Sequence, residues 1–370
     1  MLTDVSSEMI FSVFAVFFTT VAGASAQLLG LIEGLADFSA CSLDYLAGWL
    51  SDRTGRRKPM ALLGYGFSAL AKAILLVAGS VPALGTFRIA ERLGKSFRGP
   101  PRDAWLTAIA EDGIRGYSFG IHKALDKSGA VLGPLIAYGL FSRLGDTILT
   151  YRAIFRIAVI PAVCAVGLLA CLPERAGARH EHERLSRAWR TLSAGFRRYL
   201  IAAGVFSLGY FSFGFLLLRA HDVGFAASDI VLLYALFNVT FVAAAPAIGK
   251  LGDEIGRTRI IALGYLIYML MCLGFVAARS KREILALFLV YGIFFAIDEA
   301  QSKAFIADVE PARRATAIGA YNFVTGGIYL LASLVAGVLW AVEARLVFAI
   351  AAVTSAVAIL TLLRLRPASH

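Results

Sequence analysis

Long apolar runs recur along the whole chain, each separated from the next by a short polar stretch. No other feature constrains the fold as strongly. A helix that crosses a bilayer needs about 20 predominantly apolar residues. In hydrocarbon every backbone N–H and C=O must be satisfied within the segment, so runs of this length read as helices. A membrane β-barrel is excluded, because its strands alternate with period two over about 10 residues and these runs do not alternate. Composition agrees: 59% of the 370 residues are hydrophobic and 16% are charged, against roughly 45–50% and about 25% in a soluble domain. The formal charge of +11 fits cations gathered in loops, as membrane topology requires, and no nucleic-acid partner is expected. Cys41, Cys164, Cys171 and Cys272 all lie in apolar runs without a C-x-x-C pair and read as small buried hydrophobes. No cleavable signal peptide is expected, because no basic region precedes the first apolar run.

The pattern predicts twelve spans, at 1–24, 28–50, 59–79, 81–110, 116–140, 150–172, 199–218, 228–249, 260–279, 283–308, 314–341 and 344–363. The one long polar stretch, 173–198, carries Arg175, Arg179, Arg184, Arg187, Arg190, Arg197 and Arg198. The expected fold is therefore an all-α membrane protein of twelve transmembrane helices in two six-helix pseudo-repeat bundles, 1–172 and 199–370, joined by a basic linker, 173–198. Lys and Arg crowd the loops after the even-numbered spans, which predicts both termini on the cytoplasmic side of the inner (plasma) membrane. The first span is short, with its apolar part starting only after Glu8. Either Asp4 and Glu8 face a cavity inside the membrane, or the chain begins within a helix whose first turns precede residue 1.

The halves repeat. Gly48-Trp-Leu50-Ser-Asp52-Arg53-Thr-Gly55-Arg56-Arg57-Lys58 follows the second span, and Gly249-Lys-Leu251-Gly-Asp253-Glu-Ile-Gly256-Arg257-Thr-Arg259 follows the eighth. A positive-inside loop explains the cations but not the matched glycine, leucine and aspartate. This G-x-L-x-D-R-x-G-R-R-K pattern resembles motif A of the major facilitator superfamily. The resemblance implies a secondary transporter working by alternating access. It makes Asp52 and Arg53 latch residues that hold the outward-facing state, with Gly48, Gly55 and Arg56 in support and Asp253, Gly256 and Arg257 as the second copy. Gly120, Gly129, Gly133 and Pro134 follow G-x8-G-x3-G-P, which is similar to motif C of the superfamily's antiporter branches. Here Ala137-Tyr138 stands where that motif ends in two glycines. Small residues one turn apart let helix backbones approach and a proline kinks the helix, so motif C speaks of packing first, and its link to antiport comes from the family. In the fourth span, Arg92-Leu-Gly94-Lys95-Ser-Phe-Arg98-Gly-Pro100-Pro101 is similar to a stretch in prokaryotic members of the superfamily. Either Arg88 or Arg92 could take the place of the motif B arginine.

A charge at the bilayer centre costs about 2.5–3.5 kcal/mol or more, so charges within spans are functional candidates. Glu33, Asp37 and Asp44 share one helical face in span two, at about 100° per residue. Arg88, Glu91, Arg92 and Lys95 form a mostly basic stripe in span four. His122 and Asp126 share a face in span five, and Asp298 and Glu299 lie in span ten. Glu8, Glu33, Asp37, Asp126, Asp298, Arg88, Arg92 and His122 are thus the expected lining of a polar cavity, with carboxylates carrying protons and arginines binding an anionic group. Glu33 and Asp37 lead as proton sites, being deepest in an otherwise apolar span. The plainer alternative is a set of ion pairs holding helices in register, such as Glu33 or Asp37 with Arg88 or Arg92.

The expected partners are a small-molecule substrate, protons and the lipid bilayer, with the chain acting as a monomer and needing no cofactor or metal. Proton-coupled export by antiport is the leading expectation, and proton symport of an organic anion or metabolite is the alternative. A membrane-embedded enzyme or lipid-handling protein would need a catalytic constellation, and no H-E-x-x-H, G-x-S-x-G or P-loop pattern is present. A repeated two-half plan also disfavours a static channel.

Overall fold

The computed structural model describes residues 1–54, 57–77, 80–109, 115–172, 192–310 and 314–364. Every regular element among them is helical. In chain order they are α1 (Leu2–Val16), which continues as a π-helical turn (Phe17–Val21), α2 (Ala26–Thr54), α3 (Arg57–Val77), α4 (Val81–Ile109), α5 (Arg115–Leu144) and α6 (Ile148–Cys171). After the linker region come α7 (Ala194–Ser207), α8 (Gly214–Asp222), α9 (Ala227–Ile255), α10 (Arg257–Ala277), α11 (Lys281–Val309), α12 (Arg314–Val342) and α13 (Ala344–Arg364).

Seven of these segments are long and apolar enough to cross a membrane by length and composition: α1 with its π turn, α3, α6, α9, α10, α12 and α13. Helices α2, α4, α5 and α11 run 29 or 30 residues. At about 1.5 Å per residue that exceeds the roughly 30 Å hydrocarbon core, and, Asp4 and Glu8 of α1 apart, these helices carry the candidate charges that the sequence places inside spans. Helix ends use ordinary capping. Thr147 caps α6, Ser193 caps α7, and Ser280 forms a capping box with Glu283 at α11.

Two predicted features change. The expected seventh span, 199–218, is two helices, α7 and α8, with irregular backbone from Leu208 to Phe213. Helices α2 and α9 also run further than expected, to Thr54 and Ile255, so the Gly-x-Leu-x-Asp part of each motif A copy is helical rather than loop.

The chain forms two compact units. The first comprises Met1–Ala24, Leu35–His182 and Ala226–Ala235, and the second Ser25–Gly34, Glu183–Phe225 and Leu236–His370. In the first, α1 packs on α5 and α6, and α3 packs on α4 and α6. Close approach depends on glycine: a Cβ on Gly133 would stand 2.6 Å from the Val5 carbonyl oxygen and 2.9 Å from the Met9 amide nitrogen, and one on Gly94 2.7 Å from the Ser68 amide nitrogen. In the second, α10 packs on α11 and α13, and α7 on α12 and α13. Gly34, in the first turns of α2, lies directly on Leu330 of α12 within this unit.

Candidate functional site

The first unit holds a chain of polar side chains buried among apolar ones. Asp4, Ser7, Glu8 and Phe11 fall on one face of α1 by their i, i+3, i+4, i+7 spacing. The Ser7 hydroxyl accepts from Lys72 Nζ of α3 at 2.9 Å and donates to Glu91 Oε1 of α4 at 2.8 Å. The Arg88 guanidinium lies 3.5 Å from the same carboxylate. Lys72 is fully buried, and Arg88 and Glu91 are nearly so. The three side chains hold two cations and one carboxylate. Arg88 stands over the Phe11 ring at 4.6 Å and the Phe14 ring at 5.8 Å, where the ring quadrupoles offset part of the cost of a desolvated cation. Further along α4, Arg92 pairs with Asp37 of α2 at 2.8 Å. Arg98 lies 3.7 Å from Asp4, and Arg102 3.4 Å from Asp126 of α5.

Glu8 differs from the carboxylates around it. Its carboxylate accepts a hydrogen bond from the Tyr234 hydroxyl of α9 and has no ion-pair partner among the described residues. Phe11 meets the Tyr234 ring edge-on at 5.5 Å, so the tyrosine is held from two sides.

The second unit builds its interior from aromatic rings. Between α7 and α8, the backbone at Gly209 approaches α13 so closely that a Cβ would stand 2.8 Å from the Ala351 Cα. Exposed peptide groups are costly in hydrocarbon, and here they find partners. Tyr268 donates its hydroxyl to the Gly209 carbonyl at 3.0 Å, the Ser212 amide donates to Ser333 Oγ at 3.2 Å, and the Gly214 amide donates to Ser212 Oγ at 3.2 Å. Tyr210, at the break, packs among Phe206, Tyr268, Phe294 and Tyr329. Asp298 of α11 lies by this cluster in a crevice with Tyr265, Phe294 and Ser302. It forms no ion pair among the described residues, whereas Glu299 takes Lys303 at 2.6 Å.

The second motif A copy is well defined. Gly256 has a φ of +93°, a conformation that favours glycine. The next residue, Arg257, forms an ion pair with Asp308 near the end of α11 and donates to Gln301 at 3.4 Å. Gln301 in turn donates to the Ile248 carbonyl at 3.0 Å, tying α9 to α11. In the first copy, Gly48, Asp52 and Arg53 lie on α2 but their side chains lie outside the described residues, as does that of Asp253; Gly55 and Arg56 lie outside them altogether. The same holds for the side chains of Gly120 and His122 on α5. Gly129 and Gly133 form the α5 surface on which α1 lies, and Pro134 follows them within the same helix.

Of the expected cavity residues, Arg88 joins the buried Lys72 cluster, Arg92 and Asp37 pair with each other, Asp126 pairs with Arg102, and Glu8 and Asp298 form no ion pair within 4 Å among the described residues. Glu33 is buried, in the segment of α2 that belongs to the second unit, while Asp37 one turn on belongs to the first. Lys72, Ser7 and Tyr234 were not candidates from sequence. Lys72 could have been one, as the lone cation inside an apolar span; Ser7 and Tyr234 carry no signal apart from their neighbours in space.

An all-helical membrane fold of two repeated halves, with buried charge in one and a broken aromatic-lined helix in the other, defines the class of secondary transporters. The model of the Major Facilitator Superfamily matches residues 1–219 and 199–370, and the chain belongs to that family. An uncharacterized MFS-type transporter of Methanocaldococcus jannaschii is 32% identical across 98% of this chain and 92% of its own length. The multidrug resistance protein MdtH of Proteus mirabilis is 27% identical over 44% of this chain and 42% of its own. Among solved structures, a mutant form of the nucleoside transporter NupG superposes with a TM-score of 0.83 at 13% identity, covering 99% of this chain and 97% of that one. A bacterial homologue of the lysosomal transporter Spinster, inward-facing and occupied, superposes with a TM-score of 0.77 at 16% identity, covering 98% and 94%. At these identities the structural likeness concerns the fold. The chain is a multi-pass membrane transporter of a small molecule, not an enzyme.

Proposed function

We propose that this transporter couples solute movement to protons, with Glu8 and Asp298 as the groups that bind and release them, and that it works as an antiporter that exports its substrate. One observation carries the reading. The other carboxylates of the charged cluster, Asp4, Asp37, Glu91 and Asp126, each face a cation within 4 Å, while Glu8 and Asp298 face none among the described residues. A carboxylate locked to a guanidinium must break an ion pair to take a proton; one that only accepts a hydrogen bond exchanges its proton without that step. Asp37 and Arg92 act in this reading as a structural pair, and Arg88 with Lys72 supplies fixed positive charge in the first unit. Export draws support from the motif C glycines on α5 and from the partial similarity to the multidrug resistance protein. Both termini are assigned to the cytoplasm from the distribution of basic residues.

The test uses the purified chain in proteoliposomes with a trapped pH dye, an imposed pH gradient and a panel of metabolites and lipophilic compounds. Substrate-dependent proton movement opposite to substrate flux is expected. Glu8→Gln and Asp298→Asn should each abolish gradient-driven flux while leaving substrate exchange at equal pH. Substrate flux with no proton movement, or proton movement in the same direction, would overturn the reading.

A further inference from the structure

Away from the charged cluster, at the end of the first unit where α1 and α3 finish and α4 and α6 begin, lies a cavity of about 390 Å3. That falls within the roughly 300–1,000 Å3 of small-ligand sites. One side of its wall is apolar, built from Phe17 and Val21 of the π-helical turn, Leu75 and Val77 of α3, Leu84 of α4 and Phe155 of α6. Three polar lining residues, Ser80, Arg152 and Arg156, break that character. Arg152 and Arg156 stand one turn apart on α6, and neither has a hydrogen-bond or ion-pair partner among the described residues. Asp146, close by in sequence, interacts with Tyr151 instead. The polar groups of the π turn place no demand on the cavity: the Thr19 and Thr20 hydroxyls donate to the Ala15 and Val16 carbonyls at 2.9 and 2.7 Å.

The surroundings identify what meets the arginines. Val77 and Leu149 beside the cavity are 85% and 68% exposed, and Leu76 and Ile148 are exposed as well. In a bilayer such side chains face acyl chains. Arg152 and Arg156 are one and two turns into α6, about 6 and 12 Å from its start at 1.5 Å per residue. From there a long arginine side chain can reach back toward the headgroup level. Two adjacent guanidinium groups at that level call for a counter-charge, and a phosphodiester is the anion whose geometry a guanidinium fork matches.

We infer that this cavity is a binding site for an anionic phospholipid, with the phosphodiester between Arg152 and Arg156 and an acyl chain along the Phe17, Leu75 and Leu84 wall. A free phosphate would use the arginines and leave the apolar wall to water; a neutral lipid would use the wall and leave the arginines without a counter-charge. A phospholipid with net negative charge satisfies both. The site is separate from the residues assigned to proton coupling.

The experiment is lipid retention on the full-length, delipidated chain, read by native mass spectrometry with added dioleoylphosphatidylglycerol or dioleoylphosphatidylcholine. At about 1 kcal/mol per cation near an anionic headgroup, two arginines give a preference for the anionic lipid of about thirtyfold. The double variant Arg152→Gln/Arg156→Gln should bring the two lipids to parity, whereas Arg143→Gln, a cation at the end of α5 outside the cavity, should leave the preference intact. Val77→Trp narrows the cavity at an exposed position and keeps both arginines; it should lower retention of both lipids, and it carries the test if the double variant does not fold. Equal retention of both lipids by the unaltered chain, full preference in the double variant, or displacement of the anionic lipid by millimolar inorganic phosphate would overturn the inference.

Discussion

Gly133 offers a direct measure of how closely α1 must lie on α5. A methyl group there would meet two backbone atoms of α1, the Val5 oxygen at 2.6 Å and the Met9 nitrogen at 2.9 Å, where ordinary contact begins at 3.4 Å. The shortfall at Val5, 3.4 − 2.6, is about 0.8 Å. Neither atom belongs to a side chain that could swing aside, so α1 itself must move. Overpacking of this kind costs about 1–3 kcal/mol. Gly139, on the same helix, has nothing within 4 Å of its virtual Cβ. Both substitutions by alanine gain about 1 kcal/mol of helix propensity, so that gain cancels in the comparison and the difference between them isolates the packing penalty. Gly133→Ala should be less stable than Gly139→Ala by about 1–3 kcal/mol, measured as the shift in the unfolding midpoint when SDS is titrated into mixed micelles. Because α1 carries Ser7 and Glu8 on the face turned to the polar cluster, Gly133→Ala should also lower transport while Gly139→Ala leaves it near the unaltered level. Equal stability of the two variants would refute the close packing of α1 on α5.

The buried cluster makes an asymmetric prediction. Glu91→Gln leaves Lys72 and Arg88 without their carboxylate and should destabilise by about 3–5 kcal/mol, whereas Lys72→Met leaves the Arg88–Glu91 pair balanced and should cost less than half as much in the same SDS titration. Gly256→Ala forces a side chain onto a φ of +93° and should cost about 1–3 kcal/mol; Gly249→Ala, helical with open space around it, should be neutral or stabilising, as limited proteolysis at the α9–α10 turn would report. For the half-buried Asp37–Arg92 pair, a double-mutant cycle with Asp37→Asn and Arg92→Gln should give a coupling of about 1 kcal/mol, and a coupling of zero would show the 2.8 Å contact to be energetically idle.

Much of the fold was legible because a membrane leaves a chain few options. The all-helical membrane fold and the repeat of its two halves follow from apolar run length and from residues at matched positions, and both signals are local. The break between α7 and α8 was not legible, although Gly209 and Gly214 bracket it. The run from Ala202 to Leu218 is apolar enough to read as one helix, and what stabilises the irregular turn are partners distant in sequence, Tyr268, Ser333 and Ala351. Asp37 shows the same limit. Its helical face was evident, but the choice of Arg92 over Arg88 depends on how α2 lies along α4, which no periodicity within α2 encodes.

The two halves share a backbone plan yet solve the problem of buried polarity in opposite ways. The first brings lysine, arginine and glutamate together through Ser7, a network in which removing one member leaves a charge exposed to low dielectric. The second uses tyrosines. Tyr199, Tyr265, Tyr268 and Tyr291 are all buried and offer hydroxyls that carry no charge. Tyr268 packs edge to face on Phe206, and Tyr210 on Phe294. Neutral hydroxyls hydrogen-bond without a Born penalty, so the second half can hold a carboxylate such as Asp298 with no cation attached. The first reaches the same condition at one place, where a tyrosine of α9 meets Glu8. The two carboxylates proposed for proton exchange thus both have tyrosine neighbours, an environment that accommodates the protonated form without stranding a positive charge.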